Sequence, residues 1–254
     1  MKRSFLFIEL ALLCSLVTLF SCHSTPPRQP DTPPGALYTD SLVWKQHLSE
    51  KQFQEAAFDY VERDSNLPDV LIMGNSISIG YTPYVREALT KEANVYRIFE
   101  NSRDLKKARN QLDKWLAGDG WEVIHFNWGL HDLKYLKDGK LDSEGEQNIS
   151  PEEYRELLTD LVQRLTATKA NLIWATTSYI PEGALGRVRG EEEVYNQIAA
   201  EVMAQYPDIL IDDQFALTAA HLGEQRERNV HFLPEGMKRQ GDQVADHIRQ
   251  ALKQ

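Results

Sequence analysis

The sequence predicts an α/β fold in which a parallel sheet is covered by helices on both faces. From about residue 70 onward, short apolar runs alternate with longer segments that repeat apolar residues at helical spacing. This alternation is typical of βα units, and right-handed crossovers bring the loops after successive strands to one edge of the sheet. Roughly 210 residues follow the Pro-rich N-terminal stretch, which is enough for one domain with a substantial core.

Each predicted element rests on its own run of residues. The predicted strands are 70–73, 95–99, 123–126, 172–176 and 209–211. The predicted helices lie near 85–91, 105–116, 151–168, 191–205 and 234–252. The last helix carries Pro234 and Glu235 in its first turn, as helix N-termini commonly do. A polar insertion over 134–149 and a loop over 178–190 follow the third and fourth strands, and both are predicted to border the ligand-binding edge.

The first 40 residues predict export and a tether. Lys2 and Arg3 precede an apolar run that ends at Leu19-Phe20-Ser21-Cys22, a pattern that looks like a signal peptide over 1–21 with a lipobox. Cys22 would then be the lipidated first residue of the mature protein. Residues 22–40 contain five prolines and few large apolar residues, which predicts an extended tether ahead of a domain spanning 41–254.

Cysteine usage agrees with export of a protein without disulfides. Cys14 lies in the segment to be removed, so Cys22 would be the single cysteine of the mature chain, and lipidation accounts for it. Because Glu9 interrupts the apolar run, a plain signal peptide or an uncleaved anchor is the alternative. The predicted location is the cell envelope, on its periplasmic or cell-surface side, with membrane contact through the N-terminal lipid anchor alone.

The overall charge bears on the choice of partners. The chain has a formal net charge of −10, and loss of Lys2, Arg3 and Glu9, which together carry +1, leaves −11. Nucleic acid is excluded as a partner because so acidic a surface repels phosphates. The same surface disfavours docking on anionic lipid headgroups, so the charge predicts a neutral small-molecule or glycan substrate.

Three polar clusters lie where predicted strands end or the last helix begins. Gly74-Asn75-Ser76-Ile77-Ser78 follows the first strand, Gly129-Leu130-His131-Asp132 follows the third, and His231 precedes the last helix. The carboxyl ends of parallel strands are where open α/β sheets bind ligands. Taken singly, Ser76 is compatible with a helix N-cap and His231 with a half-buried structural histidine. Their joint order and spacing favour a catalytic interpretation.

In order and spacing, these clusters resemble the SGNH (GDSL-type) hydrolases from about residue 68 to the C-terminus. The resemblance implies a three-layer α/β/α flavodoxin-like fold, Ser76 as nucleophile and His231 as the general base that deprotonates it. It also implies an oxyanion hole built from the N–H groups of Ser76 and the Ser102 region together with the His131 side chain. The segment 100–104 lacks the family's glycine, and His131 replaces its asparagine. A neutral imidazole still donates a hydrogen bond, so a modified hole is expected.

The family's catalytic acid is also replaced. An aspartate normally lies three residues before the histidine, and Arg228 is found there. A carboxylate partner orients the imidazole and stabilises the imidazolium, and its loss elsewhere has cost on the order of 10⁴ in rate. The candidate replacements are Asp212, Asp213 and Glu227, with preference for the two aspartates that end the fifth strand. A backbone carbonyl that orients the ring, and weak catalysis, are the alternatives.

The predicted function is an exported serine esterase that hydrolyses acyl, chiefly acetyl, esters on carbohydrates and needs neither metal nor cofactor. Trp128, Trp174 and Tyr179 are candidate surfaces for sugar stacking, with core packing as the alternative. Three other functions share parts of the pattern: a catalytically weak or inactive glycan-binding protein, an acyltransferase that uses the same serine, and a flavodoxin-like phosphate- or flavin-binding loop over 74–80. The last leaves the His231 segment without a role and lacks the lysine of a nucleotide-binding P-loop.

Overall fold

A five-stranded parallel sheet lies at the centre of the structure, a computed structural model that describes residues 34–118 and 120–254. In chain order the strands are β1 (Asp69–Met73), β2 (Asn94–Arg97), β3 (Val123–Phe126), β4 (Tyr135–Lys137), β5 (Lys140–Leu141), β6 (Glu146–Gln147), β7 (Asn171–Ala175) and β8 (Leu210–Asp212). The helices are α1 (Ala36–Thr39), α2 (Ser41–Gln46), α3 (Ser76–Ala88), α4 (Leu105–Leu116), α5 (Pro151–Thr166), α6 (Glu191–Met203), α7 (Gln214–Ala219) and α8 (Pro234–Ala251). Short 3-10 turns occupy Gln52–Gln54, Ala56–Phe58 and Leu222–Glu224.

The order of strands across the central sheet is β2-β1-β3-β7-β8, and every neighbouring pair is parallel. The chain leaves β1 toward β2 and then returns to β3 on the other side of β1. Because crossovers are right-handed, α3 lies on one face of the sheet while α4, α5 and α6 lie on the opposite face. Helix α8 packs against α3, and α5 packs against both α4 and α6. The predicted three-layer α/β/α fold class is therefore confirmed.

The composition of the central strands explains why this sheet forms. Strands β1 and β3 are buried along their whole length. Strands covered on both faces have continuous apolar sequences, and such runs are visible without any structure. The observed bounds of all five central strands lie within two residues of the predicted ones. The loops after β1 and β3 flank the point where the chain changes direction across the sheet, which is the usual ligand site of this architecture.

Helix α3 begins nine residues earlier than predicted, at Ser76. Its first turns are rich in serine and β-branched isoleucine, and Pro83 lies inside it, so its local helix propensity is low. Asn75 caps the helix, and the side chains of Tyr81 and Val85 are buried. Packing of this face against α8 and the sheet stabilises a helix that local propensity alone does not predict.

The packed chain begins before residue 41. Helix α1 falls within the predicted tether, and its Leu37 and Tyr38 side chains are buried in the main core. The Tyr38 hydroxyl donates to the Trp115 carbonyl at 2.5 Å, and its ring packs edge-on against Trp121. The Leu37 and Tyr38 side chains therefore dock α1 on the domain. The predicted boundary is therefore several residues late.

The predicted signal peptide over 1–21, the lipidation site Cys22 and the tether residues up to 33 lie outside the described part of the chain. They stay predictions from the sequence. Within residues 34–118 and 120–254, no helix combines the length and the apolar character that crossing a bilayer requires.

A small antiparallel sheet, β5-β4-β6, forms from the polar insertion after β3. The Tyr135 N–H donates to the Gly186 carbonyl at 2.8 Å, and the Tyr135 hydroxyl donates to Glu191. Gly186 has φ +63°, and an added Cβ would lie 2.9 Å from the Cβ of Leu141. Glycine thus allows the loop 178–190 to approach the insertion closely. Together the two segments cover the carboxyl edge of the central sheet.

Candidate active site

Ser76 is the first residue of α3 and follows directly on the turn after β1. The Asn75 side-chain oxygen holds this turn by accepting from the Ile77 N–H at 3.0 Å. Gly74 leaves room for it, since an added Cβ would lie 2.9 Å from Ser78 Oγ. The backbone N–H of a first helical residue has no partner inside the helix. Ser76 therefore offers both its hydroxyl and a backbone N–H that the helix does not use.

A buried arginine supports this turn from the neighbouring strand. Arg97, the last residue of β2, is fully buried, and its guanidinium donates to the Ser78 hydroxyl at 3.1 Å and to the Gly74 carbonyl at 3.4 Å. Burial lowers its pKa to about 9, which leaves it protonated at neutral pH. Arg97 was not predicted from the sequence as a residue that positions Ser76. The signal for it is the single charged side chain inside the apolar run 95–99.

His231 lies in the loop before α8 and reaches Ser76 at the carboxyl edge of the sheet. Its Nε2 atom is 2.9 Å from Ser76 Oγ. The loop is held by the Arg226 N–H, which donates to the His231 carbonyl at 2.9 Å. A hydroxyl–imidazole contact of this length is a hydrogen bond, and it is the arrangement by which a base activates a serine.

The tautomer of His231 follows from its second partner, Asn229. One atom of that side chain, Oδ1, lies 3.0 Å from the His231 backbone N–H and 2.8 Å from the ring Nδ1. A backbone N–H only donates, so this atom is the amide oxygen, and Nδ1 must carry a proton to donate to it. In the neutral ring Nε2 is then the acceptor, and the Ser76 hydroxyl donates to it. Asn229 therefore holds the tautomer that a general base needs.

The surroundings favour neutral His231 at pH 7. Partial burial lowers the pKa of the imidazole below its usual value of 6.5, and the positive charges of Arg226 and Arg187 lower it further. The neutral ring is the form that accepts a proton from a serine hydroxyl. Asn229 offers no negative charge to the imidazolium that would result, so His231 is a weaker base than a histidine paired with a carboxylate.

The three acidic residues predicted to support His231 do not bond to it. Asp212 is fully buried and lies 2.9 Å from His125 Nε2. Asp213 caps the start of α7 instead, and Glu227 is exposed to solvent and makes no hydrogen bond to the ring. That prediction is wrong because β8 is separated from β1 by two strands, and its terminal carboxylates are used where they stand.

Asn229, like Arg97, is a residue of the site that was not predicted from the sequence. The backbone-carbonyl alternative comes nearest to the observed arrangement, because the orienting group is a neutral carbonyl oxygen, although it belongs to a side chain. An asparagine whose side chain accepts from the backbone two residues on forms an Asx turn. The pattern Asn229-Val230-His231 is the signal that points to it.

The predicted second donor of the oxyanion hole is already occupied. The Ser102 N–H donates to the Gly74 carbonyl at 3.2 Å, and the Arg103 N–H donates to Asn101 Oδ1 at 2.9 Å. The prediction that the Ser102 N–H is an oxyanion donor is therefore wrong. This N–H instead holds its segment against the turn before Ser76. Arg103 adopts a left-handed φ of +56° without being glycine, and the Asn101 side chain stabilises that conformation.

His131 lines the same cavity as Ser76 and His231. Burial, assisted by the charges of Lys134 and Arg187, lowers the pKa of His131 to about 3, so the ring is neutral at physiological pH. Lys134 Nζ lies 3.4 Å from His131 Nδ1. An ammonium group only donates, so Nδ1 is the acceptor and the ring proton is on Nε2. His131 therefore keeps one N–H, at Nε2, for a ligand.

The loop that carries His131 depends on its glycine. Gly129 has φ +156°, and an added Cβ would lie 1.9 Å from Thr177 Oγ1. The Asp132 N–H closes the turn by donating to the Gly129 carbonyl at 2.8 Å. The buried Asp132 carboxyl accepts from the Leu105 N–H at 2.8 Å and so joins the loop to the start of α4. These contacts position His131 without reaching the cavity themselves.

A cavity of about 350 Å³ opens over these side chains. Ser76, His131 and His231 line it together with Arg187 and Arg228. Two amides, Asn101 and Asn229, also line it, and the remaining lining is apolar: Leu130, Leu141, Ala184, Leu185 and Val230. Among the described residues, no acidic side chain lines this cavity.

The aromatic residues considered for sugar stacking lie elsewhere. Trp128 and Trp174 are buried in the core and pack on Phe126. Tyr179 lies against Phe215, with the guanidinium of Arg189 over its ring. None of the three lines the cavity, so the stacking prediction is wrong and, for the two tryptophans, core packing is the correct alternative.

Solved structures of the same architecture include several hydrolases. The lipase/acylhydrolase from Enterococcus faecalis has a TM-score of 0.61 and 17% identity, covering 72% of this chain and 96% of its own. An acetylxylan esterase from Geobacillus stearothermophilus has a TM-score of 0.57 and 15% identity, with 73% and 94% covered. An α/β hydrolase from the metagenome of Lake Arreo, Spain, has a TM-score of 0.58 and 17% identity, with 73% and 95% covered. No protein-family model and no curated protein sequence matches the chain.

At identities of 15–17%, these likenesses establish the fold. The shared fold is the three-layer α/β/α fold that the resemblance of the sequence to SGNH hydrolases implies. The matched region spans nearly the full length of each of these solved structures. The likeness therefore concerns the whole fold rather than one motif.

Proposed function

We propose that this protein is a serine esterase that hydrolyses acyl esters, with Ser76 as nucleophile and His231 as general base. The observation that carries the proposal is the 2.9 Å contact between Ser76 Oγ and His231 Nε2 in a tautomer fixed by Asn229. The shared fold with acylhydrolases and acetylxylan esterases supports ester hydrolysis as the chemistry. A paired serine and histidine at a cavity favours catalysis over the glycan-binding alternative.

The reaction follows from the positions of these groups. His231 Nε2 takes the hydroxyl proton of Ser76 as Oγ attacks the ester carbonyl carbon, and the carbonyl oxygen becomes an oxyanion. The Ser76 N–H and the Nε2–H of His131 are the donors available to that oxyanion. When the intermediate collapses, the alcohol leaves with the proton from His231. A water molecule then attacks the acyl carbon while His231 takes its proton, and the acid is released as that proton passes from His231 to Ser76 Oγ, which regenerates both groups.

The proposed substrate is an acetyl or other short acyl ester on a carbohydrate. One protein of the same fold, from Geobacillus stearothermophilus, is an acetylxylan esterase, and the cavity of about 350 Å³ is large enough for an acylated sugar unit. We also propose that the protein is exported and attached to the cell envelope through Cys22, and this rests on the N-terminal sequence. An envelope-anchored domain would meet acylated glycans outside the cytoplasm.

The direct test is labelling of the purified protein with a fluorophosphonate, which reacts with activated serines whatever their substrate. We expect one adduct, located on Ser76 by peptide mass spectrometry. His231→Ala should abolish it, because the hydroxyl is a weak nucleophile without its base. Absence of any adduct on protein that retains its native circular dichroism spectrum would contradict the proposal.

Replacing Asn229 by Asp should raise kcat/KM for an aryl acetate by about 10- to 100-fold. The aspartate keeps an oxygen that accepts from the His231 N–H and Nδ1–H, so the ring orientation is preserved. It adds a negative charge that stabilises the imidazolium formed in the transition state. The gain is smaller than the full effect of a catalytic acid elsewhere, because Asn229 already imposes the correct tautomer.

The pH dependence provides a second measurement on the same variant. In the wild type, kcat/KM should fall as pH drops through the pKa of His231, which lies below 6.5 because of burial, Arg226 and Arg187. The new carboxylate raises that pKa, so the half-maximal pH of the acid limb should move up by about one unit or more in Asn229→Asp. Glu227→Gln is the matched control and should change neither quantity. An unchanged rate together with an unmoved acid limb in Asn229→Asp would refute the role of Asn229.

A further inference from the structure

The cavity over Ser76 is positively charged although the chain as a whole carries −10. Arg187 and Arg228 line it, and no carboxylate does so among the described residues. Arg103 and Lys134 stand close enough to lower the pKa of His131 by their charge. A local field can oppose the sign of the total charge, and a cleft of one sign concentrates ligands of the other.

Arg187 has donors to spare and no anionic partner. Its guanidinium donates to the Leu130 carbonyl at 3.0 and 3.3 Å and to the Leu185 carbonyl at 3.1 Å. These bonds use three of its five N–H groups, which leaves two for a ligand. Partial burial lowers its pKa to about 10, and the structure shows no ion pair for it within the described residues. A partly buried cation without a counter-charge is costly, and an anionic ligand would offset that cost.

The same charge also opposes catalysis in the free protein. Arg187 lowers the pKa of His231 and of His131, which makes His231 a weaker base. Holding the loop 178–190 against Leu130 does not require a charge at a position that weakens His231 as a base. A solely structural role therefore does not explain the position of Arg187. A negative charge on the ligand would relieve this effect when the ligand binds.

Arg228 completes the rim from the loop that carries His231. It is exposed, has a left-handed φ of +50°, and its Nε would lie 2.8 Å from a Cβ added at Gly183. Its side chain therefore crosses to the loop of Arg187, and two arginines from two loops border one cavity. The nearest acidic residues along these loops, Glu182 and Glu227, are exposed and do not line it.

We infer that the substrate is an acyl ester of an acidic sugar, and that Arg187 and Arg228 bind the sugar carboxylate beside the ester. This inference rests on the proposed esterase function and names its substrate class. Guanidinium groups recognise carboxylates through paired, charge-assisted hydrogen bonds. The two arginines that line the cavity favour this acidic substrate over the neutral one that the net charge predicts.

The test uses a matched pair of esters that differ only in the group at C6, a carboxylate or a neutral hydroxymethyl: the mono-O-acetyl methyl glycosides of glucuronate and of glucose, acetylated on the same ring hydroxyl. Acetate release by the full chain should show a kcat/KM for the uronate at least about tenfold above that for the glucoside at low ionic strength. The difference should appear chiefly in KM. Added salt, at about 0.5 M, should reduce it because exposed charges are screened.

Variants connect the preference to the two arginines. Arg228→Gln should lower the ratio of uronate to glucoside about threefold or more, and Arg187→Gln should lower it further. Because Arg187 also holds Leu130, Arg187→Lys serves as the second variant and should retain part of the preference. Arg164→Gln removes one charge at the C-terminal end of α5, near the opposite edge of the sheet, and should leave the ratio unchanged.

A binding measurement separates this inference from the esterase proposal. Calorimetry with Ser76→Ala and the non-acetylated glucuronate methyl glycoside should show binding that Arg228→Gln weakens and Arg164→Gln does not. If the glucoside ester is cleaved as fast as the uronate ester, the acidic-sugar inference is overturned and the esterase proposal stands. If neither ester is cleaved but the uronate binds through Arg228, recognition of the acid is supported and the esterase proposal fails. No uronate binding overturns the inference.

Discussion

Replacing Ser76 by Ala should lower kcat/KM for an aryl acetate by at least about 10³-fold while leaving the fold intact. The hydroxyl is the only group of this residue that is lost, and the Ser76 N–H remains as a donor. Removal of Oγ leaves His231 without the proton it accepts in the proposed first step. The expected loss is smaller than in sites with a full catalytic acid, because Asn229 lends no charge and the wild-type rate starts lower.

The controls for this experiment come from the same contact. His231→Ala should lose about as much activity as Ser76→Ala, and the double variant should lose little more, since the two side chains act as one unit. Ser143→Ala, an exposed serine in the insertion, should be indistinguishable from the wild type. The kinetics would be measured alongside thermal unfolding, and a Ser76→Ala protein that keeps more than a tenth of the activity would rule out the nucleophile assignment.

Replacing His131 by Ala should lower kcat about 10²- to 10³-fold, the usual cost of losing one oxyanion donor. The N–H groups of Ser102 and Arg103 already have partners, so few donors remain for the oxyanion besides His131 and the Ser76 N–H. A hole with two donors loses half of them in this variant. KM should change little, because the donor acts on the charge that develops in the transition state.

The conservative variant distinguishes donation from packing. His131→Asn keeps a side-chain N–H and should recover activity to within about tenfold of the wild type. The acid limb of kcat/KM should not move, because His131 has a pKa of about 3 and stays neutral where His231 titrates. The measurement is the steady-state kinetics of both variants over roughly pH 5 to 8, the range in which histidine side chains titrate. Equal activity of His131→Ala and the wild type would show that His131 donates nothing.

Much of the fold could be predicted because buried parallel strands leave a direct trace. The runs at 70–73 and 123–126 are apolar on both faces, since helices cover both sides of the sheet. The start of α3 could not be predicted in this way. Pro83 and the serine- and isoleucine-rich first turns oppose a helix locally, and packing against α8 outweighs them. For the same reason Leu37 and Tyr38, at the end of a Pro-rich stretch, turned out to belong to the core.

The candidate site likewise contains residues that the sequence could predict and residues that it could not. Ser76, His131 and His231 could be picked out from order and spacing, and the structure places all three at one cavity. The hydrogen-bond partner of His231 could not be predicted in this way. Three carboxylates are near it in the sequence or at a strand end, but the conformation of the loop places the Asn229 amide oxygen against the ring. Asp212 was a sound candidate by sequence, but in the structure it bonds to His125, and its strand β8 is separated by two other strands from β1, which leads to Ser76.

The sequence by itself determined the layer architecture, the positions of the proposed nucleophile and base, and the net charge, because these depend on composition and on the order and spacing of residues along the chain. Only the tertiary structure decided which group orients His231, which N–H groups remain for an oxyanion, and that Arg187 and Arg228 face the cavity together. Apart from the local contact between Asn229 and His231, those properties depend mainly on distances of a few ångströms between loops far apart in the chain. Hydrogen bonds and local fields act over such distances, and no pattern along the chain specifies them.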